Sequence, residues 1–324
     1  KPSVTKNQSI LEEWNKLNIE PSGIENYVVY YPANNHIDVA KGVDPSVCKR
    51  ITLDVKQIEP ESLTGLLQGL SDTAAQSLPS IFRWWQNSAR DNKDQSLFTF
   101  SNFVNHFQKV VNEEKCVFPT LNIRGEQSTL GLHRATCDLI LRKLNVAIEF
   151  FDNPDSACLS EKDILQRGKM SVINVAGNNG IQFGSILLRD LLHRIVEAKS
   201  MGTSKIKILI IIDEVHQFYN TSSSREALGE LDTICRTGRS QGIGVIFSSQ
   251  NPSDMPSGLS SVINTKIFFK TDTGAAKNLG IKVSDEEMES LKKGYAVASV
   301  HELSQVKVVK FPMAVSGVFE EEKK

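Results

Sequence analysis

The 324-residue chain carries 37 basic and 38 acidic side chains, a formal net charge of −1, so no global basic field marks it for nucleic acid and any DNA contact must come from local loops. With 40% hydrophobic and 23% charged residues it has an ordinary globular composition, able to bury a core. Five scattered cysteines (Cys48, Cys116, Cys137, Cys158, Cys235) without a CxxC pair argue against a disulfide framework or zinc site and fit a reducing cytoplasm. No apolar run approaches the roughly 20 residues of a membrane span, and no signal peptide is visible.

In chain order, Tyr27–Pro32 and Ile51–Val55 are predicted strands from their β-branched and aromatic content. From about residue 60 to 148 the spacing turns helical, through Leu63, Leu66, Leu67 and Leu70 and then Leu139, Leu141, Leu144 and Val146. Gln86–Gln95 is polar and reads as a surface loop. From Met170 apolar strands alternate with amphipathic helices: Ser171–Ala176, a helix over Ile186–Val196, Ile206–Ile212, a helix from about Ser224 to Arg239, Gly244–Ser248 and Lys266–Lys270. That alternation predicts an α/β fold, a mainly parallel sheet covered by helices on both faces. Ser284 and Glu287 form a capping box, Gly294–Val300 and Gln305–Phe311 a closing hairpin, and Glu320–Lys324 a frayed tail. The expected division is residues 1–59 as part of the core, 60–165 as a helical insertion, and 166–324 as the rest of the core.

The sharpest chemical signal is Ile208-Leu-Ile-Ile-Ile-Asp-Glu214, which sets two carboxylates at the C-terminal edge of a buried strand. Ligands of open α/β sheets bind at that edge, and adjacent acids there are costly unless they serve a purpose. The bland alternative is a strand that ends in two solvated acids. Downstream, Arg236 and Arg239 lie three apart at a helix end, where basic side chains also suit the helix dipole. Gln250 ends the strand that follows.

Together, Ile-Ile-Ile-Asp-Glu-Val-His-Gln-Phe, Arg-Thr-Gly-Arg-Ser-Gln-Gly-Ile-Gly-Val and Ser-Ser-Gln-Asn-Pro-Ser-Asp-Met-Pro resemble the HerA branch of the HerA/FtsK ATPases. The likeness is strong over about residues 165 to 300 and weak before 160. The resemblance implies a RecA-like P-loop NTPase fold and a cytoplasmic homo-hexameric ring that uses ATP and Mg2+ to translocate or unwind double-stranded DNA beside a nuclease or other effector. It gives Asp213 the magnesium shell through water, Glu214 the attacking water, Gln250 the γ-phosphate sensor and Arg239, assisted by Arg236, the finger reaching a neighbouring subunit. Two rivals stay open: a conjugation or secretion ATPase of the same superfamily, and a non-hydrolysing ring that scaffolds an effector.

One expected element is missing. No G-x-x-x-x-G-K-[ST] occurs; Gly168-Lys169 is followed by Met170 and feeds a strand rather than a helix. Because the chain opens on Lys1-Pro2, truncation of an upstream phosphate loop is the favoured expectation over a degenerate subunit. Other signals are read blandly. His216 is a packed polar residue, Trp84 and Trp85 beside Arg83 are a buried pair rather than a base-stacking platform, Gly177–Gly180 is a turn, and Lys205 and Lys207 are solvated.

Overall fold

The computed structural model describes residues 8–34, 44–67, 72–113, 115–177, 179–219, 229–250, 255, 259–271, 273–278, 283–300 and 306–314. Helix α1 (Gln8–Lys16) precedes β1 (Tyr27–Pro32), which pairs in parallel with β2 (Cys48–Thr52) and with the much later β6 (Met170–Ile173). A two-residue strand, β5 (Ala157–Cys158), extends the far edge of β2, giving the all-parallel order β5-β2-β1-β6. The second predicted strand therefore starts at Cys48 and stops before Val55. Asp54 ends it, its carboxylate accepting the Lys56 N–H at 2.8 Å in a local turn.

Between these strands lie α2 (Asp72–Arg90), α3 (Phe100–Glu113), a hairpin of β3 (Val117–Leu121) and β4 (Gln127–Gly131), and α4 (Arg134–Ala147). Helix α3 buries Phe100, Phe103, Val104, Phe107, Val110 and Val111, a spacing that makes one continuous apolar face. The hairpin departs from the purely helical expectation. Its turn is set by Asn122, whose side chain accepts the N–H groups of Arg124 and Glu126, and by Gly125 at φ 83°.

The predicted loop at Gln86–Gln95 is corrected. Helix α2 continues through Arg90, and Gln86 is buried, its Nε2 donating to the carbonyls of Val55 and Ile58 at 2.9 and 3.2 Å. Two polar bonds into the interior, rather than solvent, account for this residue. Trp85 packs among Phe82, Phe98 and Phe103, and Trp84 stacks on His106 with centroids 5.7 Å apart. The tryptophans thus spend their ring faces on the core and on a histidine.

After the short α5 (Glu161–Ile164) and β6 comes the long α6 (Gly180–Ser200), which crosses to β7 (Ile208–Ile212). Helix α6 starts hard against the end of β6. A Cβ on Gly180 would fall 1.9 Å from the Val175 carbonyl oxygen, so only glycine fits. Helix α7 (Gly229–Gln241) then leads into β8 (Ile243–Phe247), which pairs in parallel with β7 from Ile208↔Ile243 to Ile212↔Phe247. The proposed start of that helix at Ser224 lies outside the described residues.

One hydrophobic core runs from Tyr30 and Ile51 through Leu66, Phe82, Phe103 and Phe183 to Ile212 and Ile234, joining both parallel ladders to the helices. A second cluster, with Phe268, Val283, Met288 and Val297, sits under an antiparallel sheet of β9 (Lys266–Phe268), β10 (Tyr295–Ser299) and β11 (Lys307–Lys310) in the order β11-β10-β9. The closing hairpin and the Ser284–Glu287 capping box are where the sequence put them; the hairpin connection at 301–305 and the tail at 320–324 lie outside the described residues. Among the described residues no helix is long and apolar enough to cross a membrane.

Candidate active site

Strands β7 and β8 end side by side, and their parallel register decides what meets at their C-terminal tips. Because Ile212 faces Phe247, the next pair is Asp213 with Ser248, and Ser248 Oγ donates to Asp213 Oδ1 at 2.6 Å. The Ser248 N–H bonds the Ile212 carbonyl at 3.0 Å and the Val215 N–H bonds the Ser248 carbonyl at 3.1 Å, so the two strand ends are stitched together. Asp213 remains exposed.

Glu214 turns sharply out of the strand, with φ 49° and ψ 52°. A left-handed non-glycine residue is uncommon, and such strain concentrates at functional sites. The turn directs its carboxylate across to β8, where Gln250 Nε2 donates to Oε1 at 2.6 Å. The other oxygen, Oε2, is buried and takes no hydrogen bond, with His216 Nδ1 3.4 Å away. His216 Nδ1 also stands 3.4 Å from Ser249 Oγ. One carboxylate oxygen of Glu214 is thus held, and the other, enclosed beside His216, has spare acceptor capacity.

Asp213, Glu214 and Gln250 thus meet, whereas Arg236 and Arg239 do not join them. Both arginines are exposed on α7, whose end delivers the chain to the start of β8. The Gly242 N–H bonds the Arg239 carbonyl at 3.3 Å, and the Gly242 carbonyl accepts from Ile208 N–H at the beginning of β7. The five residues of β8, about 16 Å, separate that end from the strand tip, and Gln250 lies three residues further on. Sequence reasoning left out Ser248 and Ser249 and discounted His216. The parallel register was the signal for Ser248, since it follows from aligning two apolar strands whose ends are in step.

The family model described as "Helicase HerA-like C-terminal" matches residues 90–271, more than half of the chain. The chain belongs to this family. Among curated HerA-like proteins, the DNA double-strand break repair helicase HerA of Saccharolobus solfataricus is 25% identical over 233 residues, covering 67% of this chain and 46% of that protein. The chain therefore spans about half the length of the curated relative. Two solved structures share the fold at low identity: the bacterial conjugative coupling protein TrwB (TM-score 0.58, 11% identity, 92% of this chain and 80% of that one) and VirB4 of Thermoanaerobacter pseudethanolicus (TM-score 0.55, 12% identity, 90% and 82%). The HerA-like chain has the P-loop ATPase fold, a mainly parallel α/β sheet with helices.

One face of the β7–β8 ladder is uncovered. Ile208, Ile210, Val245 and Phe247 point to the core, while Leu209, Ile211 and Ile246 are 60, 64 and 48% exposed. Asp213 and Ser248 continue the same alternation, so they cap the uncovered face.

Proposed function

We propose that this HerA-like chain supplies the hydrolytic half of an ATP site in a ring-shaped motor that moves along double-stranded DNA. The observation that carries the reading is the meeting of Asp213, Glu214 and Gln250 at the joined C-terminal tips of β7 and β8. Glu214 is the general base, its carboxylate accepting a proton from the attacking water while Gln250 orients it through Oε1. Gln250, bonded to that carboxylate, is also the group that senses the γ-phosphate.

Asp213 suits a magnesium ion held through water. It is a single exposed carboxylate oriented by a hydroxyl, and magnesium keeps several waters and takes one or two carboxylates beside phosphate oxygens. Bound with ATP, the ion would neutralise charge on the phosphates. The apolar face beneath Asp213 is the surface on which a phosphate-cradling segment would seat, since a parallel sheet of this kind is covered on both sides. Arg239, with Arg236, serves the site of the neighbouring subunit, since the whole length of β8 separates it from its own. We assign residues 1–59 and 166–324 to the ATPase core and 60–165 to an insertion within it, in a cytoplasmic homo-hexamer that works with a nuclease or other effector.

The test is ATP turnover by the full-length natural protein, with and without duplex DNA, beside Glu214→Gln. DNA-stimulated turnover that falls at least 100-fold in the variant, with nucleotide binding retained, is expected. Full turnover in Glu214→Gln would remove the assignment of the base, and rings that form without any turnover would replace the motor by a scaffold.

A further inference from the structure

The turn that carries Glu214 is held by a residue well outside the site. Arg189, on α6, is only 7% exposed, and the groups around it include no carboxylate among the described residues. A buried cation without a counter-ion is expensive, and an apolar side chain would serve a helix core face better. Its Nε has no hydrogen-bond partner, but both terminal nitrogens reach carbonyls. Nη1 bonds the Ser185 carbonyl one turn back at 2.8 Å, and Nη2 bonds the Phe218 carbonyl at 3.2 Å. The guanidinium lies 4.4 Å from the centroid of the Tyr219 ring. Both contacts beyond its own helix therefore land on the residues that close the turn after Glu214.

Packing points the same way. A Cβ on Gly184 would fall 2.9 Å from Phe218 Cε1 and 2.9 Å from Val175 Cγ1, so the Phe218 ring packs closely on α6 at a position where only glycine leaves room. Within the turn, the N–H groups of Phe218 and Tyr219 both bond the Val215 carbonyl, at 3.1 and 3.2 Å, and Val215 N–H is tied to β8. Glu214 is thus gripped from β8 on one side and from α6 on the other. A left-handed residue persists only where its surroundings over-determine it.

We propose that Arg189 is a positioning residue for the hydrolytic step, clamping the 215–219 turn so that Glu214 keeps its carboxylate beside Gln250 and His216. This rests on the functional reading above. The clamp acts on the base and not on nucleotide affinity. In the full-length protein, Arg189→Met keeps a long apolar stem and removes every donor, whereas Arg189→Lys keeps the charge and one donor but loses the planar fork. The expected result is a fall in kcat of at least tenfold in Arg189→Met and a smaller one in Arg189→Lys. KM for ATP should change less than twofold, and amide exchange at Val215–Tyr219 should accelerate in the same order. A folded Arg189→Met with kcat within twofold of the parent overturns the proposal, and so does a kcat loss matched by an equal loss of ATP affinity. Should Arg189→Met fail to fold, Arg189→Lys decides: unchanged kcat overturns the clamp. Glu214→Gln run alongside separates the layers. If that variant hydrolyses normally the base assignment fails, while exchange at Val215–Tyr219 still reports whether Arg189 holds the turn.

Discussion

Glu214 carries its conformational strain in its own backbone. At φ 49° and ψ 52° an L-residue sits about 1–2 kcal/mol above its right-handed alternatives, while glycine is free of that penalty but loses more entropy on folding. Glu214→Gly should therefore be at least as stable as Glu214→Ala, by up to about 1 kcal/mol, although both lose the carboxylate. Chemical denaturation of the two variants checks this; an alanine variant that is clearly the more stable would mean the turn relaxes once the side chain is gone. Asp190 is a buried carboxylate on α6. Burial raises its carboxyl above the ordinary range, against the opposing pull of Arg194 and of the Glu59 N–H at 3.0 Å. Between the ordinary and the raised value the unfolded chain has lost the proton and the folded chain still holds it. Stability conferred by Asp190 thus falls as pH rises through that window, then levels off. The advantage of the parent over Asp190→Asn should shrink upward from about pH 4, by about 1.4 kcal/mol per unit of elevation. Urea unfolding between pH 4 and 7 measures it, and an advantage that grows with pH would show the Arg194 pair dominating.

At the scale of elements, the reading from sequence succeeded where periodicity was long and failed where one polar residue was buried. Helix α6 and strands β1, β7 and β8 announce themselves by uninterrupted apolar spacing. The end of α2 does not, because Gln86 has the composition of a loop and the surroundings of a core residue. The Val55 and Ile58 carbonyls it serves lie 31 and 28 residues away in the chain, a pairing no local window contains. The expected consequence is counter-intuitive. Gln86→Leu should destabilise the protein by about 2 kcal/mol despite adding apolar surface, because two carbonyls lose their donor inside the protein. A midpoint in denaturant equal to or above the parent's would mean that water reaches those carbonyls. The candidate site divides along the same line. Asp213, Glu214 and Gln250 were legible because strand ends are legible, whereas Ser248, His216 and Arg189 depend on register and on a helix packed from elsewhere.

Across the whole molecule the informative feature is an asymmetry that composition conceals. Ile208–Ile212 is apolar at every position, which predicts a strand buried on both faces, yet only one face meets the core. Leu209 and Ile211 on β7 and Ile246 on β8 form the open side, with Asp213 and Ser248 at its upper rim. Burying such side chains stabilises by about 1.5–3 kcal/mol each, so leaving three uncovered is a large unused driving force for a further layer of structure. If a phosphate-binding segment forms that layer, charge placed there must disrupt nucleotide binding, whereas equal charge on a truly solvent-facing residue must not. Ile123, 82% exposed at the tip of the β3–β4 hairpin, is the matched control for Ile211, 64% exposed on the ladder. In the full-length protein Ile211→Lys should cost about 2 kcal/mol or more of stability and weaken ATP binding at least tenfold, while Ile123→Lys leaves both within error. Equal, negligible effects in the two variants would mean that the ladder face stays open to water, and that the cradle for the phosphates approaches Asp213 from another side.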